Sequence, residues 1–411
     1  MKLNTVRLTW CFDLMSSDIP QHRSESSVSS KCPSVMNFEK CIPTFVGPTN
    51  LPTPAGTYFL AVGDLNNDGD LDIVAANNKS ASITVFNNNG RGSFGGQRTY
   101  STGGSGSEVN TVTLADLDCN GYLDIMAPDF GLNYISIFLN QRDGTFASHV
   151  ILPTGAGSAP ISIATAYLNR DRYLDIVVAN NRGNNVGIFL TTGRNSYAPM
   201  ITYSTGSNSS PRSVVVGDLN GDHKDDIIVA NRDGNNIGVF FNRGGGIFGS
   251  QIVYPIGSGS LPRAVLVADL NDDRKLDVVC VNSGTNSITI FLNSGDGTLI
   301  FHKTLLTGSL PRGAAIGYIN NDRKPDIVYV NANDDNFGLY RNSGYGQFVP
   351  QGPYSIGADS EPFGVATGDF NGDGLDDVAT ASFVEQTNHS INEICNRLES
   401  TTINISSGRQ A

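Results

Sequence analysis

Oxygen-bearing side chains at alternate positions of a short acidic loop can grip a hard cation, and this chain carries such a loop seven times. The loops are DLNNDGDLD (64–72), DLDCNGYLD (116–124), YLNRDRYLD (167–175), DLNGDHKDD (218–226), DLNDDRKLD (269–277), YINNDRKPD (318–326) and DFNGDGLDD (369–377). Position three is Asn66, Asp118, Asn169, Asn220, Asn271, Asn320 or Asn371, and position five is Asp68, Asn120, Asp171, Asp222, Asp273, Asp322 or Asp373. Position nine is always Asp: Asp72, Asp124, Asp175, Asp226, Asp277, Asp326 and Asp377. Position one is Asp64, Asp116, Asp218, Asp269 or Asp369, but Tyr167 and Tyr318 in loops three and six. With a backbone carbonyl near position seven, such a set offers the roughly six to eight hard oxygens that Ca²⁺ prefers. No thiolate or imidazole recurs, which disfavours zinc and copper. The metal-free alternative is an Asn/Asp turn that caps strands; seven repetitions with fixed acid positions weigh against it.

Whatever positions these loops must repeat with them. Successive loops begin 49–52 residues apart, a period that points to a propeller or similar array. Residues 211–257 illustrate one unit: an apolar strand (PRSVVVGD), the acidic loop, a second strand (DIIVANR), the turn DGNN, a third strand (IGVFFN), a Gly-rich turn and a fourth strand (QIVYPIG). Runs of consecutive apolar residues suit sheets packed on both faces. The expected fold is therefore all-β: a seven-bladed β-propeller of four-stranded antiparallel blades. The last unit lacks a fourth strand after FVEQTNHSINEICNRLES, where Ile391 and Ile394 form a weak third. Residues 43–50 are expected to complete that blade and close the ring, with Phe45 in register with Phe94, Phe146 and Phe248. The expected organisation is a poorly ordered segment 1–42, the propeller over 43–396 and a flexible tail 397–411. Other repeats fit less well: WD-type blades need Trp-Asp pairs, yet the only Trp is Trp10, and kelch units lack the acidic loop.

The loop, the SFGG (93–96) and IFGS (247–250) turns and the STGS…P segments before strand one resemble the Dx[DN]xDGxxD pattern of FG-GAP (VCBS-type) repeats. Such repeats build the seven-bladed head of integrin α subunits and occur in many secreted proteins. The resemblance spans about residues 43–380 and implies one calcium ion per intact loop. The implied ligands are Asp64, Asn66, Asp68 and Asp72; Asp116, Asp118, Asn120 and Asp124; Asp218, Asn220, Asp222 and Asp226; Asp269, Asn271, Asp273 and Asp277; and Asp369, Asn371, Asp373 and Asp377. The family's position-six glycine survives as Gly69, Gly121 and Gly374; His223 and Arg274 replace it, which weakens two sites. Tyr167 with Arg172, and Tyr318 with Arg323, mark loops three and six as metal-free.

The rest of the chain narrows the function. A formal charge of −12 argues against nucleic acid as partner. Charged residues make up only 16% of the chain and glycines number 46, as an all-β chain rich in turns requires. No stretch is apolar enough to span a membrane, and MKLNTVRLTWCFDLMSSD is a poor secretion signal. Cys280, inside VVCVN, reads as a buried small hydrophobe; pairing among Cys32, Cys41 and Cys395 stays open. The sequons at Asn78, Asn208, Asn388 and Asn404 lean towards secretion. The five histidines are scattered, with no HExxH or nucleophile elbow. One cluster suggests ligand binding: Arg212, Arg263 and Arg312 each follow a Pro at the start of strand one, and Arg182 and Arg232 fall in turns expected on the same face, opposite the acidic loops. They suit an acidic glycan or carboxylate-bearing peptide, unless Asp233, Asp334 or Asp335 neutralises them. The expected protein is thus a monomeric, extracellular or cell-surface, non-enzymatic calcium-binding propeller that binds or adheres to a protein or anionic glycan. The alternatives are a calcium-dependent carbohydrate-active enzyme resembling propeller polysaccharide lyases, and an eroded copy with no dedicated ligand.

Overall fold

The computed structural model describes residues 43–45, 49–383, 390–394 and 396–398; the readings placed on residues 1–42, on Cys32, Cys41 and Cys395, on Asn388 and Asn404, and on most of the tail lie outside them. The chain forms a β-propeller of four-stranded antiparallel sheets. Six blades are built from consecutive strands. Blade four is typical, with strands Pro211–Gly217, Asp226–Asn231, Asn236–Phe240 and Ile252–Pro255. Blade three carries an additional hairpin, Thr191–Gly193 with Ser196–Tyr197, before its outer strand.

The expectation of seven blades, the last completed by an N-terminal strand, is corrected here to six. Loop seven sits in a composite sheet whose strands are Pro362–Gly368, Asp377–Ser382, Ser390–Ile394 and, from the other end of the chain, Thr49–Pro52. After Ser382 the described residues supply one more strand to this sheet, and Thr49–Pro52 takes the outer place by pairing with Ser390–Glu393. Pro43–Phe45 pairs separately with Asn396–Leu398. The expected closing segment therefore shifts from 43–50 to two short ladders. Phe45 does keep its register: it lies opposite Asn396 as Phe94 lies opposite Asn88, Phe146 opposite Asn140 and Phe248 opposite Asn242.

The core lies between neighbouring sheets. Val74, Ile83 and Val85 of blade one meet Val109, Ile125 and Phe138 of blade two. Phe370, Ala379 and Ala381 of the composite sheet meet Leu60 and Ile73 of blade one, and Val365 and Val378 meet Val328 and Phe337 of blade six. Packing from both sides explains why every second strand of blades one to six is buried along its whole length. Full burial of a side chain such as Phe138, Phe240 or Phe337 is worth about 1.5–3 kcal/mol. Cys280 is buried among these residues, as its apolar run implies, and Cys119 is exposed. First strands line an axial channel of about 2080 Å³ that reaches from Tyr58, Arg212, Arg263 and Arg312 to the acidic loops. Among the described residues no helix is long and apolar enough to cross a membrane.

Candidate functional site

Each acidic loop is folded by its own carboxylates. Position one accepts two backbone N–H groups: in loop one, Asp68 N donates to Asp64 Oδ1 at 3.2 Å and Gly69 N to Asp64 Oδ2 at 2.8 Å. Asp116, Asp218, Asp269 and Asp369 do the same. Position four is left-handed in every loop, as at Asn67 (φ 60°), Arg170 (φ 62°) and Asp272 (φ 65°). Position six is left-handed in six loops. His223 (φ 61°) and Arg274 (φ 65°) adopt there a conformation that Gly69 and Gly374 reach without a Cβ penalty. Loop three differs, with Arg172 outside that region. Position four also ties loops together: Asn67 Nδ2 donates to Gly121 O at 2.9 Å, and Arg170 Nη2 to His223 O at 2.9 Å.

Position nine has a role independent of any ion. Asp72 is buried; its Oδ2 accepts Leu65 N at 3.0 Å and its Oδ1 accepts Asn88 N at 2.8 Å. Asp175 and Asp326, in the loops lacking a position-one acid, make the same pair of bonds. The invariant Asp is thus a strut between loop and third strand, explained by the fold alone. Burial pushes the carboxyls of Asp72, Asp124, Asp175 and Asp277 up to about 6, and those of Asp226 and Asp326 up to about 7, against the opposing pull of these N–H donors.

The loops differ in how well they fit a cation. In loop two, Asp116, Asp118 and Asp124 bring carboxylate oxygens within 4.8 Å of one another, and Asp118 Oδ1 is buried with no hydrogen-bond partner. Two or more carboxylates with an unspent oxygen fit a divalent cation. Loops four and five supply a competitor of their own: Lys224 Nζ contacts Asp222 Oδ2, and Lys275 Nζ lies 3.7 Å from Asp273 Oδ2. His223 Nδ1 is 3.8 Å from Asp218 Oδ2. In loop six Lys324 Nζ lies 3.9 Å from Asp322 Oδ2, and Tyr318 N donates to Asp376 Oδ2 at 2.6 Å. The position-seven lysines were the signal that sequence reading passed over.

A second set of residues went unread in the sequence. Sixteen residues beyond position nine stand Asn88, Asn140, Asn242, Asn293 and Asn342, with Thr191 in blade three. Each Asn amide donates to the position-two carbonyl of the preceding sheet: Asn88 to Phe370 O (2.8 Å), Asn140 to Leu65 O (2.8 Å), Asn242 to Leu168 O (3.0 Å), Asn293 to Leu219 O (2.8 Å) and Asn342 to Leu270 O (2.9 Å). Thr191 reaches only Leu174 O, within its own blade.

At the other end of the channel the first strands begin with a bulge. Register shifts fall between Thr57 and Phe59, Pro160 and Ser162, Pro211 and Ser213, Pro262 and Ala264, Pro311 and Ala314, and Pro362 and Gly364. A bulged residue is re-aimed relative to its strand, so Tyr58, Ile161, Arg212, Arg263, Arg312 and Phe363 form a ring on the channel. The approach to each arginine bulge is pinned by the preceding blade: Asn184 Oδ1 accepts Ser210 N (3.1 Å), Asn235 Oδ1 accepts Leu261 N (3.1 Å) and Asn286 Oδ1 accepts Leu310 N (2.9 Å).

The three arginines converge. Arg212 and Arg263 both donate to the Tyr58 hydroxyl, each with its guanidinium carbon 5.9 Å from the Tyr58 ring. Arg263 and Arg312 stand 5.6 and 4.6 Å from the Phe363 ring. Tyr58, Phe363 and Phe383 pack together in tilted and edge-on contacts with centroids 4.6–5.7 Å apart. Burial would raise the Tyr58 phenol, but the guanidiniums of Arg263, Arg212 and Arg312 together hold it below its usual range. Burial, then neighbouring like charge, holds Arg263 well below the usual guanidinium range, and burial lowers Arg312. Tyr58 was absent from the sequence reading because its partners lie 154 and 205 residues away. Arg232 pairs with Asp233 at 2.6 Å. Arg182 does not join the set: its guanidinium lies over Phe130 at 4.7 Å, drawn to an aromatic face.

Five stretches of the chain, residues 64–127, 167–229, 218–280, 269–329 and 318–380, match the FG-GAP-like repeat, together more than half its length. No curated protein sequence is significantly similar to the chain. Among solved structures, a catalytically inactive virginiamycin B lyase from Staphylococcus aureus, crystallised with quinupristin, is similar at TM-score 0.60 and 17% identity, covering 85% of this chain and 99% of that one. An Agrocybe aegerita lectin that recognises non-reducing terminal N-acetylglucosamine is similar at TM-score 0.54 and 21% identity, covering 80% and 86%. A 6-phosphogluconolactonase-like protein from Bacteroides uniformis gives TM-score 0.54 and 17% identity over 71% and 83%. At such identities the likeness is one of fold.

Proposed function

This chain belongs to the FG-GAP-like repeat family, and we propose that it is a calcium-stabilised propeller acting outside the cell as a non-enzymatic binding or adhesion module. The composite sheet, which packs against blades one and six, is read as the closure of the ring. Calcium would be held by position-one, -three and -five oxygens, most readily in loop two and in loops one and seven, which have Asp70 and Leu375 where loops four and five have lysine. When bound, the ion supplies positive charge that offsets the converging carboxylates; its role is structural. Loops three and six are read as metal-free, for want of a position-one acid.

One observation carries the binding function: three guanidiniums from blades four, five and six converge on the channel, and none forms an ion pair among the described residues. The carboxylates that could have neutralised them are engaged elsewhere. Asp233 holds Arg232, Asp334 accepts Ser309 N at 2.6 Å, and Asp335 accepts Asp359 N and Glu361 N. Charge that is unpaired and half-buried is costly, so the cluster is suited to an anionic ligand, a protein acid or an acidic glycan. The Agrocybe aegerita lectin of similar fold recognises non-reducing terminal N-acetylglucosamine, which supports a glycan as one class of ligand. Of the turn sequons, Asn208 is exposed, whereas the Asn78 amide donates to Asn110 Oδ1 at 3.3 Å.

A second reading, a calcium-dependent carbohydrate-active enzyme, is favoured by the phenol of Tyr58, a potential base held low beside an anion site. Screening acidic glycans and peptides against the wild type and an Arg212→Ala, Arg263→Ala, Arg312→Ala variant tests both. Binding that the variant loses, without product, supports the module; turnover supports the enzyme; binding unchanged in the variant rejects the arginine site.

A further inference from the structure

We propose that the arginine end of the channel is a site for a tetrahedral oxyanion, phosphate or sulfate, presented as an ester whose remaining part lies against the aromatic side of the ring. The proposal rests on the anionic-ligand reading above and narrows its chemistry. The ring is divided in two. Arg212, Arg263 and Arg312 occupy three adjacent blades, while Phe363, Tyr58 and Ile161 supply the apolar side. The approaches to the three arginine bulges are tied to the preceding blade, so the three forks are held in place before any ligand arrives.

The number and direction of donors select the anion. A planar carboxylate accepts on two oxygens whose roughly four lone-pair sites lie near one plane, so it cannot turn an oxygen squarely towards each of three forks carried by three blades. A tetrahedral anion turns oxygens towards several sides at once and can meet all three. The present arrangement shows the demand for acceptors. Two guanidiniums share the single Tyr58 oxygen, and Arg312 Nε is buried with no acceptor at all. Glu361, the carboxylate whose field Arg312 feels, is exposed and forms no ion pair with it. Tyr58 Oη thus stands where a ligand oxygen would stand, and its hydroxyl can turn to donate to an arriving anion.

The full-length calcium-loaded protein would be titrated calorimetrically with sodium sulfate, sodium phosphate and sodium acetate at constant ionic strength in chloride. Sulfate or phosphate should bind about tenfold or more tightly than acetate, and the preferred one of the two identifies the ester class. Arg263→Gln should abolish this binding. Arg312→Gln should weaken it while melting no lower than wild type in anion-free buffer, because it removes a half-buried cation whose Nε has no acceptor. Tyr58→Phe, which keeps the ring packing, serves if an arginine variant fails to fold; it should retain binding within about threefold, since its hydroxyl is the stand-in and not the main donor. Acetate binding as tightly as sulfate and phosphate overturns the tetrahedral assignment and leaves the arginine site intact. Failure of every anion to bind, or binding undiminished in Arg263→Gln, overturns both.

Discussion

At the scale of the residue, one invariant letter conceals two jobs. Position-nine Asp reads as a metal ligand in the sequence, yet Asp175 and Asp326 make the same two backbone bonds as Asp72 in loops that lack a position-one acid. Alternation of acids was legible because it is local; the strut was not, because its second donor sits sixteen residues on in another strand. Burial raises Asp175 to about 6 and Asp326 to about 7, above their ordinary 3.8. The folded state therefore holds these protons more tightly than the unfolded chain. The resulting stability is complete below the unfolded value and is lost as pH rises towards 6–7. In chelator, the melting temperature should accordingly fall between pH 5 and pH 8; a rise over that window contradicts the burial argument. The lysines of loops four and five give a second expectation. Lys224→Met removes the cation beside Asp222, so calcium affinity at loop four should rise roughly fivefold, about 1 kcal/mol for a partly exposed pair. Asp118→Ala should instead remove the loop-two site. Calorimetric stoichiometry on the two variants separates gain from loss.

At the scale of the element, strands and turns were legible from apolar runs and Asn/Gly clusters, but what fixes one blade to the next was not. The Asn residues of the third strands look like turn residues in sequence. In the structure they bridge blades through single amide-to-carbonyl bonds, as Asn293 does to Leu219 O. The Pro-Arg bulges were similarly hidden: a sequence shows that Arg212 begins a strand, and only the register shift between Pro211 and Ser213 shows that it faces the channel. Replacing Asn293 by Ala would take the amide donor away from the Leu219 and Leu276 carbonyls, with Val278 and Phe291 packed alongside, while the backbone bond from residue 293 to Asp277 stays. A loss of about 1–3 kcal/mol is expected, read as a lower urea midpoint with an unchanged slope. At exposed Asn67, whose bond to Gly121 O lies in water, Asn67→Gly removes the amide while suiting the left-handed backbone (φ 60°) and should cost less than about 0.5 kcal/mol. Equal losses at the two sites would mean that the buried bridges do not join the blades.

At the scale of the whole molecule, the period was the most legible feature and ring closure the least. The repeat announces itself seven times, whereas closure depends on pairing Thr49–Pro52 with a strand more than three hundred residues away. Such a contact has no local signature beyond the aromatic register of Phe45, and its loop-closure entropy must be offset by burial. Leu51 is buried with Leu60, Ile73, Phe370 and Ala381, so the N-terminal strand fills part of the core between the composite sheet and blade one. Two kinds of staple then share the task of holding the ring: this strand, and calcium in the acidic loops. At 1 mM calcium and a Kd of ~0.1 mM, each ion would add about 1.4 kcal/mol, and five would add about 7. Chelation of the intact chain should lower the melting temperature by about 10 °C or more; an unchanged melt rejects structural calcium. Removal of residues 1–42 should leave that melt where it was. Removal of residues 1–52 should uncover the edge of Ser390–Ile394 and lower it steeply, and light scattering should reveal association through the open edge. If calcium is the main staple, the shorter chain will still fold in calcium and collapse in chelator. If the strand is the main staple, it will melt low in both, so the two truncations measured with and without calcium divide the stability of the ring between them.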